Sequence, residues 1–429
     1  MNTTASAGQR GAEARSDCWV LVEKSDTPKI QIKSKVESLY GDSIRALIAS
    51  TLSALDATDV ALTLEDNGAL PFTMMARIEA AVKRLRPDNS RACLPDLNPA
   101  AHYSIARTRL RRTRLYLPGN TPKFFVNAGL HKPDAIILDL EDAVSPDEKD
   151  AAQILVRNTL RAVNFYGAEK MVRVNQHPRG LDDARALIAH GVHTFLLPKV
   201  ESADEVRALD SILEVGSWKL EVGTAEHPTS NFQSPISNIQ PPTSNVQLPL
   251  LIPIIESARG VLHAFEIASA SPRVVALGLG LEDYAKDIGA ERTAEGRESL
   301  WARSQIVNAA RAAGVTPLAS VFADVADEPG LRAFVADARS MGFEGIGCLH
   351  PRQVPVAHAA FAPTPDEIEN ACCIAIAFKQ ARALGLGVIA LNNKMIDAPI
   401  VERAHRTIRI ARAMECLPAE WEPRVRDVK

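Results

Sequence analysis

Eight short apolar runs separated by helical segments begin near Arg109, and they constrain the fold more than any other feature of the sequence. The runs are RLYLPG, AIILDLE, MVRVN, TFLLPKV, LLIPIIES, VVALGLG, PLASVFAD and GIGCLHP. Continuous Val, Ile and Leu runs that alternate with helices are typical of parallel strands buried on both faces. Eight such units in about 250 residues predict an α/β fold of the TIM-barrel type, (β/α)8. A doubly wound sheet is the alternative, but no GxGxxG motif opens a helix in this sequence.

Charged residues follow these runs at the points where the predicted strands end. They are Asp139, Glu141, Asp142, Arg173, Lys199, Glu256, Asp283 and Asp324. In TIM barrels the C-terminal ends of the strands form the face that carries the chemistry. The sequence therefore predicts a functional site at that face, with carboxylates as its main side chains.

The residues before the barrel have the pattern of a small α+β domain. CWVLVEK, KIQIKSK and VALTL predict strands, and helices are predicted after Gly41 and over FTMMARIEAAVKRL, with Asp42 as an N-cap. This domain is assigned to residues 1–90, and a linker rich in Pro, Asn and Ala to residues 91–108. The barrel is assigned to residues 109–362, and residues 363–429 remain as a C-terminal segment.

A repeat of the form x-S-N-x-Q-x-P interrupts the barrel within residues 226–249. Its units are TSNFQSP, ISNIQPP and TSNVQLP, which carry too few charges and too many prolines for a coiled coil. This composition predicts a disordered insertion. Because it precedes the run LLIPIIES, it belongs to a loop at the end of the barrel opposite the functional face.

The composition excludes several classes of function. A formal net charge of -3 gives no basic surface for nucleic acid, and no apolar run reaches the roughly 18 residues of a membrane span. The opening segment MNTTASAGQRGAEARSD has no apolar core, so it is not typical of a signal peptide. The six cysteines show no metal-ligand spacing, and we expect them to be reduced thiols of a cytoplasmic protein.

Seven motifs along the chain point to a known family. RTRLYLPGN, AIILDLEDAV, VRVN, LLPKVE, IPIIESARG, LGLGLEDYAKDIG and LNNKMIDAP occur in this order. Together they resemble the citrate lyase beta subunit and its HpcH/HpaI aldolase-like relatives, the malyl-CoA and citramalyl-CoA lyases. The first domain resembles the citrate lyase acyl carrier (gamma) subunit through KIQIKSKVESLYGDSIRALI, LEDNGALP and ARIEAAV. The resemblance implies a carrier domain fused to a lyase barrel, followed by a helical lid over residues 363–429.

The resemblance implies that Glu256 and Asp283 bind Mg²⁺ and that Glu256 also contacts the substrate. A physical argument supports this independently, because Mg²⁺ is commonly held by one or two carboxylates with water and substrate completing its octahedral shell. Such an ion acts as a Lewis acid toward an oxaloacetate-like fragment. The alternative is that both carboxylates cap the helices that follow them.

Four further residues near the predicted site have implied roles. Arg173 is implied to bind the substrate, and its planar guanidinium suits a carboxylate because it can bond both oxygens. Arg112 corresponds to another family position near the substrate, although RTRLRRTR holds several arginines and a solvated side chain is the alternative. Glu141 and Asp142 are implied to contact the groups around the metal ion without binding the ion themselves. The alternative is that they cap helices.

Two residues outside the barrel also have implied roles. Asp397 matches an aspartate that handles proton transfer at a neighbouring subunit's site, and an N-cap before Pro399 is the alternative. Carrier domains of this family hold phosphoribosyl-dephospho-CoA on a serine two residues before an aspartate. Arg15 occupies that position here, and the nearest hydroxyl is that of Ser16, to which we assign the attachment.

The sequence as a whole predicts a magnesium-dependent lyase that cleaves a citryl thioester to oxaloacetate and an acetyl thioester. The implied partners are further copies of the chain in a trimer-like homo-oligomer and a citrate lyase alpha (transferase) subunit, with nucleic acid and membranes excluded. A malyl-CoA or citramalyl-CoA lyase acting on free CoA esters is the enzymatic alternative. A non-catalytic scaffold subunit is the alternative from another class, and the intact Glu256, Asp283 and Arg173 argue against it.

Overall fold

The computed structural model describes residues 3–11, 14–221, 248–383, 385, 387–391 and 394–417. The chain forms two compact units, Met1–Val354 and Pro355–Lys429. The first unit contains the small N-terminal domain, the predicted linker and the barrel. Most of the predicted disordered insertion, residues 226–247, lies outside the described residues.

The N-terminal domain is a four-stranded sheet with two helices, in the strand order β1-β2-β4-β3. Its elements are β1 Thr4–Ala7, β2 Cys18–Lys24, β3 Ile30–Ser34, α1 Glu37–Ala54, β4 Val60–Asp66 and α2 Pro71–Leu85. β3 and β4 are parallel, and the other two pairings are antiparallel. α1 begins at Glu37, so the prediction of Asp42 as an N-cap is wrong. Glu37 suits this earlier start because a carboxylate in the first turn complements the helix dipole.

All eight predicted barrel strands are present and parallel. They are β5 Thr113–Pro118, β6 Ala135–Asp139, β7 Glu169–Arg173, β8 Thr194–Leu197, β9 Leu250–Ile255, β10 Ala276–Leu279, β11 Thr316–Leu318 and β12 Ile346–Cys348. Each strand pairs with its neighbour in sequence, and β12 pairs with β5. A parallel bridge between Val321 and Gly347 links β12 back toward β11. The TIM-barrel prediction is confirmed.

Helices follow or lie between these strands around the outside of the barrel. They are α3 Lys149–Ala162, α4 Arg179–Leu187, α5 Ala203–Glu221, α6 Ala258–Leu262, α7 Ala264–Ala268, α8 Leu281–Asp287, α9 Leu300–Ala312 and α10 Glu328–Met341. α5 and β9 flank the predicted insertion in the sequence. Among the described helices, none has the length and apolar content required to cross a bilayer.

The predicted linker closes the N-terminal end of the barrel. Ile105 belongs to the buried cluster that fills the barrel interior, and Tyr103 packs against that cluster. The buried Lys170 ammonium donates to the carbonyl of Ala101 at 2.8 Å, and the His193 ring bonds the carbonyl of Tyr103 at 2.7 Å. These contacts hold the segment against the strand ends, so it is part of the barrel's core and not a free connection.

A buried ion pair fixes the N-terminal domain to the barrel where α2 packs on α3. Glu79 accepts hydrogen bonds from Arg157 at 2.9 and 2.7 Å, and the two side chains are 0% and 8% exposed. The amide of Cys93 donates to the same carboxylate at 2.8 Å. Breaking a buried pair of this kind typically costs about 3–5 kcal/mol. The domain is therefore docked on the barrel.

A second buried contact joins the N-terminal domain to the loop after β5. Arg77 bonds both oxygens of Asp17, at 2.9 and 2.8 Å. Its guanidinium also donates to the carbonyl of Asn120 at 2.7 Å. Because Asn120 follows the C-terminal end of β5, the segment containing Ser16 and Asp17 lies at the functional end of the barrel.

The second unit is built from three helices and a hairpin. Its elements are α11 Gln353–Phe361, which begins in the last two residues of the first unit, α12 Pro365–Ala383, β13 Ile389–Leu391, β14 Lys394–Ile396 and α13 Ala398–Ala413. α12 and α13 share a buried apolar cluster that includes Cys372, Ile374, Val401 and Ile408. The unit therefore has a core of its own.

The His193 ring makes the stability of the barrel dependent on pH. Burial and the nearby Lys170 ammonium lower the His193 pKa to about 3, and its Nδ1 accepts from the Lys170 amide at 3.0 Å. The unfolded chain binds this proton near pH 6.5, whereas the folded chain resists it. We expect this side chain to cost about 1.4 kcal/mol of unfolding free energy per pH unit between about pH 6 and pH 4.

The test is urea unfolding of the wild type and His193→Gln from pH 7 to pH 5, with the slope of unfolding free energy against pH as the readout. Glutamine keeps a donor for the Tyr103 carbonyl but does not titrate, so the variant should have the shallower slope. Equal slopes would contradict the prediction.

Candidate active site at the C-terminal end of the barrel

Two carboxylates stand side by side at the C-terminal end of the barrel. Glu256 follows directly after β9, and Asp283 lies in the first turn of α8 after β10. β9 and β10 are paired neighbours. Their C-terminal ends therefore bring the two side chains to one place, as the sequence predicted.

Glu256 is held in a buried position by close backbone contacts. It is 7% exposed, and one of its oxygens accepts from the Lys199 amide at 2.9 Å. Lys199 has a φ of 52°, a left-handed conformation that is unfavourable for a non-glycine residue and that aims its amide into the site. A Cβ atom on Gly280 would lie 2.3 Å from the other Glu256 oxygen, so any side chain there would displace this carboxylate.

Burial raises the pKa of Glu256 to about 7. That pKa value already includes the effect of the Arg173 guanidinium, which lowers it, and of the Glu141 and Asp283 carboxylates, which raise it. The surroundings of the Glu256 carboxylate therefore do not fully compensate its negative charge. A bound cation would supply the missing positive charge.

Arg173 occupies the centre of a charge network between β6 and β7. It bonds both oxygens of Asp139 at 2.7 Å each, and its Nη1 lies 3.0 Å from Glu141. Although burial alone would lower the pKa of Arg173, these carboxylates raise it above its ordinary value. A guanidinium carries five N–H donors, so two remain for a ligand.

The Lys199 ammonium joins the remaining carboxylates. Its Nζ lies 2.9 Å from Glu141, 3.1 Å from Asp142 and 3.6 Å from Asp283. The carboxylates of Glu141 and Asp142 outweigh the effect of burial and raise the lysine pKa above its ordinary value. Glu141 thus orients both cations of the site, whereas Asp142 is half exposed and contacts the lysine alone.

A cavity of about 180 Å³ opens beside these groups and runs into the barrel interior. Arg173, Glu256 and Asp283 line its outer part. Arg114, Tyr116 and the apolar side chains of Ile252, Ile254 and Leu318 line its inner part. A small anionic ligand that enters this cavity would meet guanidinium groups as well as the carboxylate pair.

The carboxylate pair fits a magnesium ion better than a metal that requires several protein ligands. Within the described part of the chain, His, Cys, Asp and Glu side chains form no group of three arranged to hold a metal. Mg²⁺ needs only one or two carboxylates, because water and substrate supply the other oxygens. Glu256 and Asp283 both line the cavity, which is the placement that such ligands require.

Arg112 lies at the wrong end of the barrel for its predicted role. It precedes β5 and bonds both oxygens of Asp134 at 2.9 and 2.8 Å, and Asp134 itself precedes β6. Both residues are therefore at the N-terminal ends of their strands, a full strand length from the site. The prediction that Arg112 binds the substrate is wrong, because the position before a strand faces away from the catalytic end.

The two predicted residues outside the barrel occupy defined positions. Asp397 belongs to the second unit, where its carboxylate accepts from the Ile400 amide at 3.3 Å and caps α13. Ser16 is partly exposed, has a φ of 56° and donates its amide to the carbonyl of Asn67. Its neighbour Asp17 is buried against Arg77, so Ser16 belongs to an anchored segment.

Sequence reasoning missed three residues that shape the site. Arg114 and Tyr116 lie two residues apart on β5, so they share the face of the strand that points into the barrel. This two-residue spacing was the sequence signal that could have identified them. Gly280 carries no chemical group, and only the close approach of Glu256 shows why it is needed. Arg112 has the same parity as Arg114 but precedes β5, so its position before the strand, and not its parity, separates the two arginines.

The chain was compared with known proteins at the level of families. Residues 112–351 match the family described as HpcH/HpaI aldolase/citrate lyase. Residues 4–85 match an acyl carrier protein family described as malonate decarboxylase delta subunit. The first match covers the barrel, and the second covers the N-terminal domain.

Individual relatives support the same assignment. The citrate lyase subunit beta of Leuconostoc mesenteroides subsp. cremoris is 36% identical, over 73% of this chain and 97% of the relative. The mitochondrial citramalyl-CoA lyase of Mus musculus is 30% identical, over 76% of this chain and 96% of the relative.

Among solved structures, the protein CitE from Mycobacterium tuberculosis in complex with magnesium, acetoacetate and coenzyme A is 28% identical, with a TM-score of 0.54. This chain matches 99% of that structure, over 71% of its own length. The chain therefore belongs to the HpcH/HpaI aldolase/citrate lyase family, as a carbon–carbon lyase with an acyl-carrier-like domain ahead of its barrel.

Proposed function

We propose that the protein is a magnesium-dependent lyase that cleaves a citryl thioester into oxaloacetate and an acetyl thioester. The observation that carries this proposal is the juxtaposition of Glu256 and Asp283 with Arg173 at one cavity. The solved relative with a TM-score of 0.54 was crystallised with magnesium, a keto acid and coenzyme A. A thioester substrate whose other half is a keto acid fits the same arrangement.

Glu256 and Asp283 would hold the magnesium ion, with water and substrate oxygens as its other ligands. When bound there, Mg²⁺ supplies a Lewis acid that stabilises negative charge on the keto-acid half. Arg173 offers its two remaining N–H groups to the carboxylate of that half. Glu141 and Asp139 hold the guanidinium in place, so the substrate carboxylate meets an already oriented donor.

The bond that breaks joins the carbinol carbon to the thioester's α-carbon. The hydroxyl proton leaves to a base, the carbinol becomes the keto group of oxaloacetate, and the electron pair passes to the thioester as an enolate. Protonation of that enolate gives the acetyl thioester. We assign this proton transfer to Asp397, working at the site of a neighbouring copy in a homo-oligomer.

The N-terminal domain would carry the thioester on a phosphoribosyl-dephospho-CoA group attached to Ser16. Support comes from the chain of contacts from Asp17 through Arg77 to Asn120, which keeps Ser16 at the functional end of the barrel. Because Glu79 and Arg157 fix the domain, the arm has to reach the cavity by its own length. Attachment raises the effective concentration of the thioester at the barrel, and a transferase subunit of the citrate lyase alpha type would exchange the acyl group.

A lyase acting on free citramalyl-CoA or malyl-CoA is the second candidate. The observation that favours it is Arg15, which stands where the carrier family has its modified serine. A curated relative of similar identity is a citramalyl-CoA lyase. Under this alternative the barrel chemistry is the same, and the N-terminal domain serves only as a docked module.

The first prediction concerns the carboxylate pair. Glu256→Gln and Asp283→Asn should each lower kcat/KM for citryl-CoA by 100-fold or more, because each removes an anionic magnesium ligand. Isothermal titration with Mg²⁺ should show weaker binding in both. Asp204→Asn is the matched control, since Asp204 is an exposed carboxylate of α5 that pairs with Arg207. Near wild-type turnover in both site variants would refute the assignment.

A second prediction concerns the glycine beside Glu256. Gly280→Ala should displace the Glu256 carboxylate, because the new Cβ would lie 2.3 Å from its oxygen. We expect magnesium affinity to fall at least tenfold by isothermal titration. Gly278→Ala is the matched control, two residues earlier in β10, where a Cβ would meet its neighbours at ordinary distances of 3.4 Å and more. Equal magnesium affinities in the two variants would contradict the prediction that Gly280 leaves the space needed by the Glu256 carboxylate.

A third prediction concerns the carrier domain. Intact mass of the natively expressed protein should exceed the sequence mass by one prosthetic group, and Ser16→Ala should remove the excess. Ser43→Ala, an exposed serine of α1, should keep it. Cleavage of free citryl-CoA should persist in Ser16→Ala, because the barrel is untouched. An unmodified wild-type mass would favour the free-CoA lyase.

A further inference from the structure

The barrel interior contains one arginine that the mechanism above does not use. Arg114 is the second residue of β5 and lies two residues before Tyr116, so both side chains point into the barrel. It is 5% exposed, and it lines the same cavity as Arg173 and Glu256. A charged side chain is rarely buried in the middle of a barrel unless it has a partner.

The guanidinium of Arg114 reaches almost to the level of the carboxylate pair. Its Nη2 donates to the carbonyl of Ala319 at 2.9 Å. In the barrel register Leu318 pairs with Gly278, and Gly278 pairs with Ile254. Ala319 therefore lies one residue below the level of Glu256, or about 3.3 Å along the strand direction.

This guanidinium is not neutralised by a carboxylate in the described part of the chain. Asp139 and Glu141 are engaged by Arg173, and Glu169 is engaged by Arg111. Its Nη1 is buried without a hydrogen-bond partner among the described residues. Burial lowers the Arg114 pKa, which reflects the cost of an uncompensated charge.

A buried charge without a protein partner is expected where a bound ligand supplies that partner. Leaving a buried donor unsatisfied costs about 1–3 kcal/mol, and more when the group is charged. A charge-assisted bond to a carboxylate removes that cost and is about twice as strong as a neutral one. The cavity of about 180 Å³ provides the space for such an anion between Arg114 and Arg173.

We propose that Arg114 binds the second carboxylate of the keto-acid half and thereby selects substrates whose carbinol carbon bears a CH2–COO⁻ group over those that bear a methyl group. This inference rests on the proposed lyase function and names its substrate class. Arg173 and the carboxylate pair hold the carboxylate next to the carbinol, which all substrates of this type share. Arg114 binds the second carboxylate, which is the group by which these substrates differ.

The activity test uses two thioesters that differ only in that group, citryl-CoA and citramalyl-CoA. In the magnesium-loaded full chain, Arg114→Met should lower kcat/KM for citryl-CoA by 100-fold or more and change that for citramalyl-CoA by less than threefold. Arg114→Lys should recover part of the citryl-CoA activity. Arg112→Met is the matched control, because Arg112 lies two residues away at the opposite end of the barrel, and it should leave the ratio unchanged.

A binding test separates this inference from the proposed reaction. Oxaloacetate should raise the thermal midpoint of the magnesium-loaded wild type more than pyruvate does, and Arg114→Met should abolish the difference. Without ligand, Arg114→Met should be at least as stable as the wild type, because an unpaired buried charge is replaced by an apolar side chain. If Arg114→Met does not fold, Arg114→Gln takes its place in both tests.

The outcomes distinguish the two ideas. If the wild type cleaves neither thioester but oxaloacetate still stabilises it through Arg114, the reaction is wrong and the dicarboxylate site stands. If Arg114→Met lowers both activities equally, or if both keto acids stabilise the wild type and the variant alike, Arg114 has no part in selectivity and the inference is overturned.

Discussion

The ion pair between Arg173 and Asp139 is the interaction on which the arrangement of the site depends. It bridges the ends of β6 and β7 with two bonds of 2.7 Å and leaves the guanidinium 12% exposed. With that cation fixed, Glu141 can serve Arg173 on one side and Lys199 on the other. Lys199 in turn places its amide on Glu256, so the position of the carboxylate pair follows from an ion pair two strands away.

The same network explains why Glu256 is buried and yet available. A carboxylate that paired directly with Arg173 would be neutralised and of little use as a ligand. Here Arg173 forms its two-bond ion pair with Asp139, and Glu256 accepts a hydrogen bond from the backbone amide of Lys199. The result is a carboxylate whose pKa is raised by burial and by its anionic neighbours. Such a group gains strongly when a divalent cation arrives.

The N-terminal domain depends on ion pairs of the same kind. Glu79 and Arg157 fix its orientation, and Arg77 links Asp17 to the loop after β5. In a chain whose carrier and lyase domains are joined covalently, this rigidity has a consequence for delivery. The distance from Ser16 to the cavity stays constant, so the prosthetic arm proposed above would have to supply all of the movement.

Much of the fold and part of the site could be predicted from the sequence. The eight strands were predictable because parallel strands buried on both faces require continuous apolar runs, and Glu256, Asp283 and Arg173 because they end such runs. Arg112 and Arg114 were not separable in that way. They have the same strand parity, but Arg112 precedes β5 and pairs with Asp134, whereas Arg114 lies within the strand and lines the cavity. Likewise, Pro-rich composition suggested a linker, although Ile105 packs inside the barrel.

The charges at the mouth of the barrel give the arrangement its logic. In the network described above the cations are Arg114, Arg173 and Lys199, and the carboxylates are Asp139, Glu141, Asp142, Glu256 and Asp283. Glu282 also lines the cavity, but it pairs with Arg292 and adds no net charge. With every group ionised the carboxylates exceed the cations by two charges, which one divalent cation balances. Unit charges at 4 Å interact by about 4 kcal/mol at an effective dielectric of 20, so each remaining charge matters to an anionic substrate. Without Arg114 the metal-loaded site would keep a net negative charge and repel a second carboxylate. With Arg114 it is neutral, and the extra carboxylate finds its guanidinium already in place.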